Sequence, residues 1–182
     1  MSKPLLISAF EPFEGRLKNQ SMVVLENLQG KMIQKVTLPV EFQKGFDTLK
    51  SFCEQNQPSI ILCLGEAADA VPRIEHVAIN MMHARIPDNS GYQPELEPII
   101  KSGPTSRTTQ LDLEDLGNFL SKKGVLYQHS FHAGTYICND LYYRMLSAFP
   151  EQRILFVHVS HREENLQTSI QTVQAILDYF KE

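Results

Sequence analysis

The sequence predicts an α/β domain in three layers, with a largely parallel, twisted sheet covered by helices on both faces. Two short and almost wholly apolar runs, at 59–64 and 153–159, are typical of strands that are buried on both sides. Other segments repeat apolar residues at helical spacing, and the clearest of them extends from Leu166 to Phe180. Strands that alternate with helices indicate this architecture. The length of 182 residues, without repeats or a linker, fits one domain over residues 1–182.

Ten elements follow from the pattern, and turn-forming residues separate them. Gly30, Pro39 and Gly65 each follow a predicted helix or strand, and residues 85–91 have the composition of a tight turn. In chain order, the prediction is a strand at 4–10, a helix at 22–28, a strand at 31–38, a helix at 43–54, a strand at 59–64, a further strand at 75–81, a helix at 111–120, a helix that begins around residue 138, a strand at 153–159 and a helix at 166–180.

The composition excludes several classes of protein. The net charge is only −4, and no basic run could follow a nucleic-acid backbone. No apolar stretch is long enough to cross a bilayer, and the apolar run before Glu11 is too short for a signal peptide. Three widely spaced cysteines, Cys53, Cys63 and Cys138, indicate neither a disulfide framework nor a metal knuckle. The sequence therefore predicts a cytoplasmic protein with reduced thiols that binds neither nucleic acid nor membrane.

Cys138 is the candidate nucleophile. It follows a turn of small residues at 133–135 and stands where a helical pattern begins, with Leu141 and Met145 on one face. A cysteine in the first turn of a helix meets free backbone N–H groups and the positive end of the helix dipole, and both favour the thiolate. A lone cysteine is also often a small buried hydrophobic residue without chemistry. Both interpretations stay open on this motif alone.

His158 and Glu75 are the candidate partners of that cysteine. His158 lies near the carboxyl end of the strand predicted at 153–159, where ligands bind in parallel sheets. Glu75 falls in a mostly apolar segment, where a buried carboxylate would need a donor such as a histidine N–H. The three side chains together would form a thiol triad of nucleophile, base and orienting acid. The alternatives are a histidine bonded to a backbone carbonyl and a glutamate on the exposed face of a strand.

The other histidines raise a metal alternative. His129 and His132 are three residues apart, as are His158 and His161, and with Cys138 they could form a zinc site. Such spacing needs a helix or a tight turn, whereas His158 falls in a predicted strand, and no HExxH motif is present. The sequence therefore predicts no metal and no other cofactor.

Two aromatic residues and an arginine are candidates for substrate binding. Phe10 and Phe13 come directly after the first predicted strand, where they could hold a flat ring or pack in the core. Arg85 precedes a Pro-Asp-Asn turn and could donate to a developing oxyanion, although most exposed arginines are simply solvated.

These motifs together resemble the pyroglutamyl peptidase I family, also called pyrrolidone-carboxylate peptidase, a family of cysteine peptidases. The resemblance extends almost from end to end of the chain. It rests on Phe10-Glu11-Pro12-Phe13 followed by Gly15 and Asn19, on 38–42, on Glu75 with 77–80, on 84–89, on Ala133-Gly134-Thr135-Tyr136-Ile137-Cys138-Asn139, and on Phe156-Val157-His158-Val159.

The resemblance implies a function and a role for each motif. Cys138 would be the nucleophile, His158 the base and Glu75 the acid that orients it, and the reaction would remove an N-terminal 5-oxoproline from peptides. Arg85 and the backbone N–H of Cys138 would stabilise the oxyanion. The residues implied to surround the substrate ring are Phe10, Phe13, Asn19, Glu66, Tyr136 and Ile137. The fold that the resemblance implies is a single α/β domain. Members of the family often form homo-oligomers, so the resemblance also implies a homodimer or a homotetramer.

Several positions depart from the family pattern. Glu14 replaces the first of two usual glycines, Gln20 and Ser160 replace usual prolines, and Glu66-Ala67-Ala68-Asp69 stands where the family has a glycine-rich run. These changes fall around the implied ring pocket, while the three implied catalytic residues are intact. Two alternatives therefore accompany the prediction: a thiol amidase with another acyl specificity, and a binding protein without turnover.

Overall fold

The computed structural model describes residues 3–181, so Met1 and Ser2 of the N-terminal stretch and Glu182 lie outside the described part. The eight strands are β1 (Leu5–Phe10), β2 (Ile33–Leu38), β3 (Ile60–Ala67), β4 (Arg73–Glu75), β5 (Val77–Ile79), β6 (Ser106–Thr108), β7 (Gln128–Ser130) and β8 (Arg153–Ser160). The five α-helices are α1 (Gln20–Asn27), α2 (Lys44–Asn56), α3 (Leu113–Lys123), α4 (Ile137–Ala148) and α5 (Leu166–Tyr179).

Six strands form one sheet in the order β2-β1-β3-β8-β4-β7. Every neighbouring pair in it is parallel except β4 and β8, which are antiparallel. Strands β1, β3 and β8 occupy the centre, which explains their almost continuous apolar sequences. The prediction of a largely parallel sheet in an α/β fold is confirmed.

Helices cover both faces of this sheet. Helices α2 and α4 pack on one face, in a cluster that includes Leu49, Leu141 and Phe156. Helices α1, α3 and α5 pack on the other face, in a cluster that includes Leu116 and Val173. Alternate residues of each central strand point into the two clusters, as the period of a strand requires. The result is the three-layer arrangement that the sequence predicts.

The segment predicted as one strand at 75–81 is instead two short strands in different sheets. β4 joins the main sheet, whereas β5 leaves it and pairs with β6. The side chain of Asn139 holds this turn of the chain, because its amide accepts from the backbone N of Ile79 at 2.9 Å and donates to the carbonyls of Ile79 and Met81. The single-strand prediction was therefore wrong, and the residue after Cys138 is the physical reason.

The helix predicted around Cys138 is confirmed as α4, and its start has no side-chain cap. Tyr136 occupies the N-cap position without a side-chain hydrogen bond to the first turn. In contrast, Asn19 caps α1 and Asp112 caps α3 through their side-chain oxygens. The backbone N–H groups at the start of α4 are therefore not used by a capping side chain. Within residues 3–181, no helix has the length and apolarity that a bilayer crossing needs.

Candidate active site

Cys138 is the second residue of α4, and its sulfur lies against a glycine of β3. A Cβ atom placed on Gly65 would lie 2.6 Å from the Cys138 Sγ and 3.0 Å from two carbon atoms of the Phe156 ring. No real side chain fits at those distances, so only glycine lets α4 approach the sheet this closely. Gly65 therefore seats the sulfur on the face of the sheet that carries Phe156.

His158 and Glu75 form a buried pair on that same face. The Nδ1 atom of His158 lies 2.7 Å from Oε1 of Glu75. Glu75 is completely buried and His158 is 4% exposed, so water hardly competes for this bond. A carboxylate can only accept, so Nδ1 carries the proton and donates it to Glu75. The other ring nitrogen, Nε2, then has a free lone pair, which is the form that a general base requires.

Strand pairing brings the sulfur and the imidazole to neighbouring positions. Gly65 of β3 is the register partner of His158 on β8. Phe156 and His158 are two residues apart on β8 and so point to one face, with ring centroids 4.9 Å apart. The sulfur of α4 is thus seated over β3 and the imidazole projects from the adjacent strand β8, and neighbouring strands of a sheet lie about 4.8 Å apart.

Arg73 lies on the other side of His158, and it belongs to none of the sequence motifs described above. It is the register partner of His158 on β4. Its guanidinium lies 3.3 Å from Oε1 of Glu75, 3.5 Å from Nδ1 of His158 and 3.1 Å from Oδ2 of Asp69. One signal in the sequence could have found it: Arg73 precedes Glu75 by two residues, and on a strand this spacing puts both side chains on one face.

A small cavity of about 60 Å³ opens beside Cys138. Its walls are mainly aromatic and aliphatic, and they come from β1, the loop after it, the end of β3 and the start of α4. The structure brings together here all six residues that the sequence predicts around a substrate ring, and adds Val40. The lining residues are Phe10, Phe13, Asn19, Val40, Glu66, Tyr136, Ile137 and Cys138.

Comparison with known proteins agrees with this geometry. A family model described as "Pyroglutamyl peptidase" matches residues 3–173. The chain belongs to the pyroglutamyl peptidase family. It is 34% identical over 180 residues to the pyrrolidone-carboxylate peptidase of Bacillus amyloliquefaciens, an alignment that covers 93% of this chain and 84% of the relative.

Solved structures of the family have the same fold. The pyrrolidone carboxyl peptidase of Thermococcus litoralis superposes with a TM-score of 0.88 at 28% identity, over 98% of this chain and 95% of that one. The enzyme of Fervidobacterium islandicum gives a TM-score of 0.88 at 31% identity, over 99% of both chains. The family resemblance and the fold class are therefore confirmed, and the chain is an enzyme of the pyroglutamyl peptidase family. These comparisons support an enzyme rather than the alternative of a binding protein without turnover.

The polar side chains of the cavity are already engaged with the protein. Glu66 forms an ion pair with Arg16, and its second oxygen accepts from the backbone N of Gln20 at 2.7 Å. The Arg16 guanidinium also lies 4.4 Å from the centre of the Phe13 ring. Asn19 is 2% exposed and uses its side chain to cap α1. In this member of the pyroglutamyl peptidase family, Glu66 therefore holds the loop that forms one wall of the cavity.

Arg85 lies outside this cavity, in a larger cleft of about 710 Å³. The two spaces share Phe13 and Tyr136, so the cleft is the natural path for the rest of a substrate. Arg85 is exposed there and has no ion-pair partner within residues 3–181. His83 and Glu14 are the other charged or titratable side chains of the cleft.

The surroundings of the sulfur oppose the effect that the helix terminus has on its pKa. Burial raises the pKa of the Cys138 thiol strongly, and the charges of Glu75 and Glu66 raise it further, whereas the charge of Arg73 lowers it. The expectation from the sequence considered only the helix end and missed these carboxylates. Deprotonation of Cys138 therefore needs a proton acceptor close to the sulfur.

The positions of the histidines do not support the alternative of a zinc site. Among residues 3–181, no group of three or more His, Cys, Asp or Glu side chains is arranged to hold a metal ion. His129 instead contacts His76, with Nδ1 of one ring 2.8 Å from Nε2 of the other. His132 accepts a hydrogen bond from the backbone N of Gly134 at 3.0 Å.

Proposed function

We propose that this peptidase hydrolyses the amide bond after an N-terminal pyroglutamyl residue, with Cys138 as nucleophile, His158 as base and Glu75 as the acid that orients the base. One observation carries the proposal: His158 of the buried His158–Glu75 pair lies on the strand next to Gly65, over which the Cys138 sulfur is seated. The membership of the chain in the pyroglutamyl peptidase family supports the substrate class.

The reaction begins with transfer of the Cys138 proton to Nε2 of His158. Because burial raises the pKa of the Cys138 thiol, this transfer accompanies the attack of sulfur on the carbonyl carbon rather than preceding it. The imidazolium that forms is stabilised by Glu75, which already accepts the proton of Nδ1. His158 then gives its proton to the leaving amine, the C–N bond breaks, and a thioester to the pyroglutamyl group remains.

Water completes the cycle with the same groups. His158 takes a proton from the water, the hydroxide attacks the thioester carbonyl, and the C–S bond breaks to release pyroglutamate. The proton returns to the sulfur. The backbone N–H of Cys138 and the Arg85 guanidinium are the proposed donors to the oxyanion of both tetrahedral intermediates, because α4 has no capping side chain and Arg85 has no other partner in the described residues.

The cavity fits the chemistry of a lactam ring. A pyroglutamyl group is flat and uncharged, and it lacks the terminal ammonium of ordinary peptides. The side chains of Phe10, Phe13 and Ile137 offer apolar walls, with Asn19, Glu66 and Tyr136 completing the proposed binding site. The remaining peptide would occupy the cleft that contains Arg85.

A specific observation favours a second candidate, a thiol amidase for another small acyl group. Glu66 places a carboxylate in the wall of the cavity, and both of its oxygens already accept hydrogen bonds from the protein. The N–H of a lactam ring in the cavity would compete with Arg16 for the carboxylate of Glu66. Such a wall could select an acyl group without that N–H.

Turnover of matched amides distinguishes the two candidates. We would compare the p-nitroanilides of pyroglutamate, proline and N-acetylalanine, because proline keeps the ring but replaces the lactam with a charged amine. Pyroglutamyl hydrolysis predicts a preference of at least 100-fold over the prolyl amide. A tenfold or greater preference for another acyl group would instead support the second candidate.

Substitutions test the roles of the three residues. We expect Cys138→Ala to lower kcat/KM by about 10³-fold or more, and Glu75→Gln by about 10²-fold or more, as in triads that lose the nucleophile or the orienting acid. Cys53→Ala is the control, since Cys53 is a cysteine of α2 that is buried in the core cluster away from the cavity. Unchanged hydrolysis by Cys138→Ala would disprove the assignment.

We further propose that residues 1–182 form one peptidase domain that works in the cytoplasm as a homodimer or a homotetramer. The family resemblance supports the assembly, and large apolar side chains such as Leu17 and Phe131 are 93% and 67% exposed in the single chain. Light scattering of the purified protein measures the subunit count, and a monomer at micromolar concentration would contradict the assembly.

A further inference from the structure

The side chain of Arg73 makes three polar contacts among residues 3–181, and two of them are with the proposed catalytic pair, His158 and Glu75. Its guanidinium lies 3.3 Å from Oε1 of Glu75 and 3.5 Å from Nδ1 of His158. The third contact, at 3.1 Å, is with Asp69 in the loop before β4. The Arg73 side chain is 24% exposed, so solvent screens its charge only in part.

The contact between Arg73 and the imidazole is electrostatic rather than a hydrogen bond. Nδ1 of His158 already donates to Glu75 at 2.7 Å, and a guanidinium has no atom that accepts. A second proton on the ring would create a cation beside another cation. Arg73 therefore places a positive charge 3.5 Å from Nδ1 of His158 and 3.3 Å from Oε1 of Glu75, where it repels a further cation on the ring and attracts the carboxylate.

A purely structural role would leave fewer polar atoms unpaired. Nε of Arg73 lies 3.3 Å from Oε1 of Glu75 but lacks the geometry of a hydrogen bond, and the buried Oε2 of Glu75 has no hydrogen-bond partner among residues 3–181. Buried polar atoms in proteins are nearly always paired, so this arrangement gives up hydrogen bonds that a simple ion pair would make. The position of Arg73 instead brings its guanidinium close to both His158 and Glu75.

We propose that Arg73 is a positioning residue that keeps His158 neutral in the resting enzyme and extends activity toward lower pH. The inference rests on the proposed function, since it assigns His158 as the base. Glu75 and Arg73 of β4 contact the imidazole of His158, and Asp69 of the loop between β3 and β4 pairs with Arg73. The charges of Glu75, Arg73 and Glu66 also act on the nearby thiol of Cys138. Arg73 is the cation among these residues.

Arg73→Gln tests the charge, and Arg73→Lys tests whether charge alone suffices. We expect Arg73→Gln to move the acidic limb of the pH profile of kcat/KM upward by at least 0.5 pH unit and therefore to lower kcat/KM at pH values below that limb by about threefold or more. KM should stay within twofold, because Arg73 does not line the cavity. Arg73→Lys should keep the limb within about 0.2 pH unit of the wild type.

Arg107→Gln is the matched control. Arg107 is also a half-buried arginine on a short strand whose Nε has no partner, but it lies on β6, away from the proposed catalytic pair. This variant should leave the pH profile unchanged. Equal movement of the acidic limb in Arg107→Gln and Arg73→Gln would overturn the proposal.

A measurement without turnover separates this inference from the proposed function. The ring of His158 can be titrated by NMR in the wild type and in Arg73→Gln, with the signal assigned from the His158→Gln variant. An upward shift of the midpoint by at least 0.5 pH unit supports the role of Arg73 even if no pyroglutamyl amide is hydrolysed. The same midpoint in both proteins overturns it. Arg73→Met replaces Arg73→Gln if the latter does not fold, and failure of both to fold would make Arg73 a structural residue and overturn the proposal.

Discussion

Replacing Gly65 by alanine tests how the sulfur is positioned. The added Cβ would lie 2.6 Å from the Cys138 Sγ and 3.0 Å from the Phe156 ring. Carbon and sulfur atoms rest about 3.5–4.0 Å apart, so α4 or the thiol must retreat by about 1 Å. A displacement of that size in a catalytic group lowers activity by about 100-fold. Overpacking of the core should also lower the free energy of unfolding by about 1–3 kcal/mol.

Kinetics and thermal unfolding together separate the two effects of Gly65→Ala. We expect kcat/KM on pyroglutamyl p-nitroanilide to fall by about 100-fold, while the protein stays folded at the assay temperature. Gly103→Ala is the matched control, because its Cβ would lie 2.5 Å from the Tyr143 hydroxyl, far from the sulfur. That variant should lose stability but keep its activity. Activity of Gly65→Ala within threefold of the wild type would refute the argument, and so would an equal loss in Gly103→Ala.

Three further predictions concern stability and thiol chemistry. Asp88 accepts four hydrogen bonds, so Asp88→Ala should lower the free energy of unfolding by about 2–3 kcal/mol in urea titrations. Burial of Asp88 disfavours its charged form, but these hydrogen bonds outweigh burial and lower the pKa of Asp88. The stability that ionised Asp88 contributes is therefore present above about pH 4 and is lost as the pH falls further. The Asp88→Asn variant should not lose stability in that pH range. Glu14 has a φ of 55°, so Glu14→Gly should raise the free energy of unfolding by about 0.5–1 kcal/mol, and a lower melting temperature would contradict this. Cys53 and Cys63 are buried and burial raises the pKa of both to about 12, whereas Cys138 is only partly buried and lines the cavity. The native protein should therefore consume at most one equivalent of a thiol reagent, at Cys138, and three only after denaturation.

The sequence predicts the order of the large elements well, because strands that are buried on both faces of a sheet have continuous apolar sequences and long helices repeat apolar residues at helical spacing. The runs at 59–64 and 153–159 are central strands of the sheet, and the repeat that begins at Leu166 is a helix. The end of the third strand was misplaced. Gly65 suggests a turn in the sequence, yet β3 continues to Ala67, because Gly65 serves the close approach of the sulfur rather than a change of direction.

The remaining errors in the fold involve short elements whose pairing depends on distant residues. β6 and β7 have three residues each, too few for a periodic pattern. The break between β4 and β5 depends on the amide of Asn139, which lies 60 residues further along the chain. Nothing in the local sequence could reveal that contact.

The candidate site was largely predictable as a set of residues but not as an arrangement of charges. Family motifs led to the residues that line the cavity, including Glu66 and Tyr136. The engagement of Glu66 with Arg16 and the position of Arg73 beside His158 depend on strand register and on a loop conformation. Sequence motifs reveal neither the strand register nor the loop conformation.

The row formed by Gly65, His158 and Arg73 divides the molecule into a fixed and a variable part. Because the three residues are register partners on successive strands, backbone hydrogen bonds fix their spacing in steps of one strand. The cavity, in contrast, is walled partly by the loop that carries Phe13 and Glu14. A library of variants restricted to that loop can therefore change which acyl groups are accepted while the reacting atoms keep their places, which makes this protein a suitable starting point for engineering new amidase specificities.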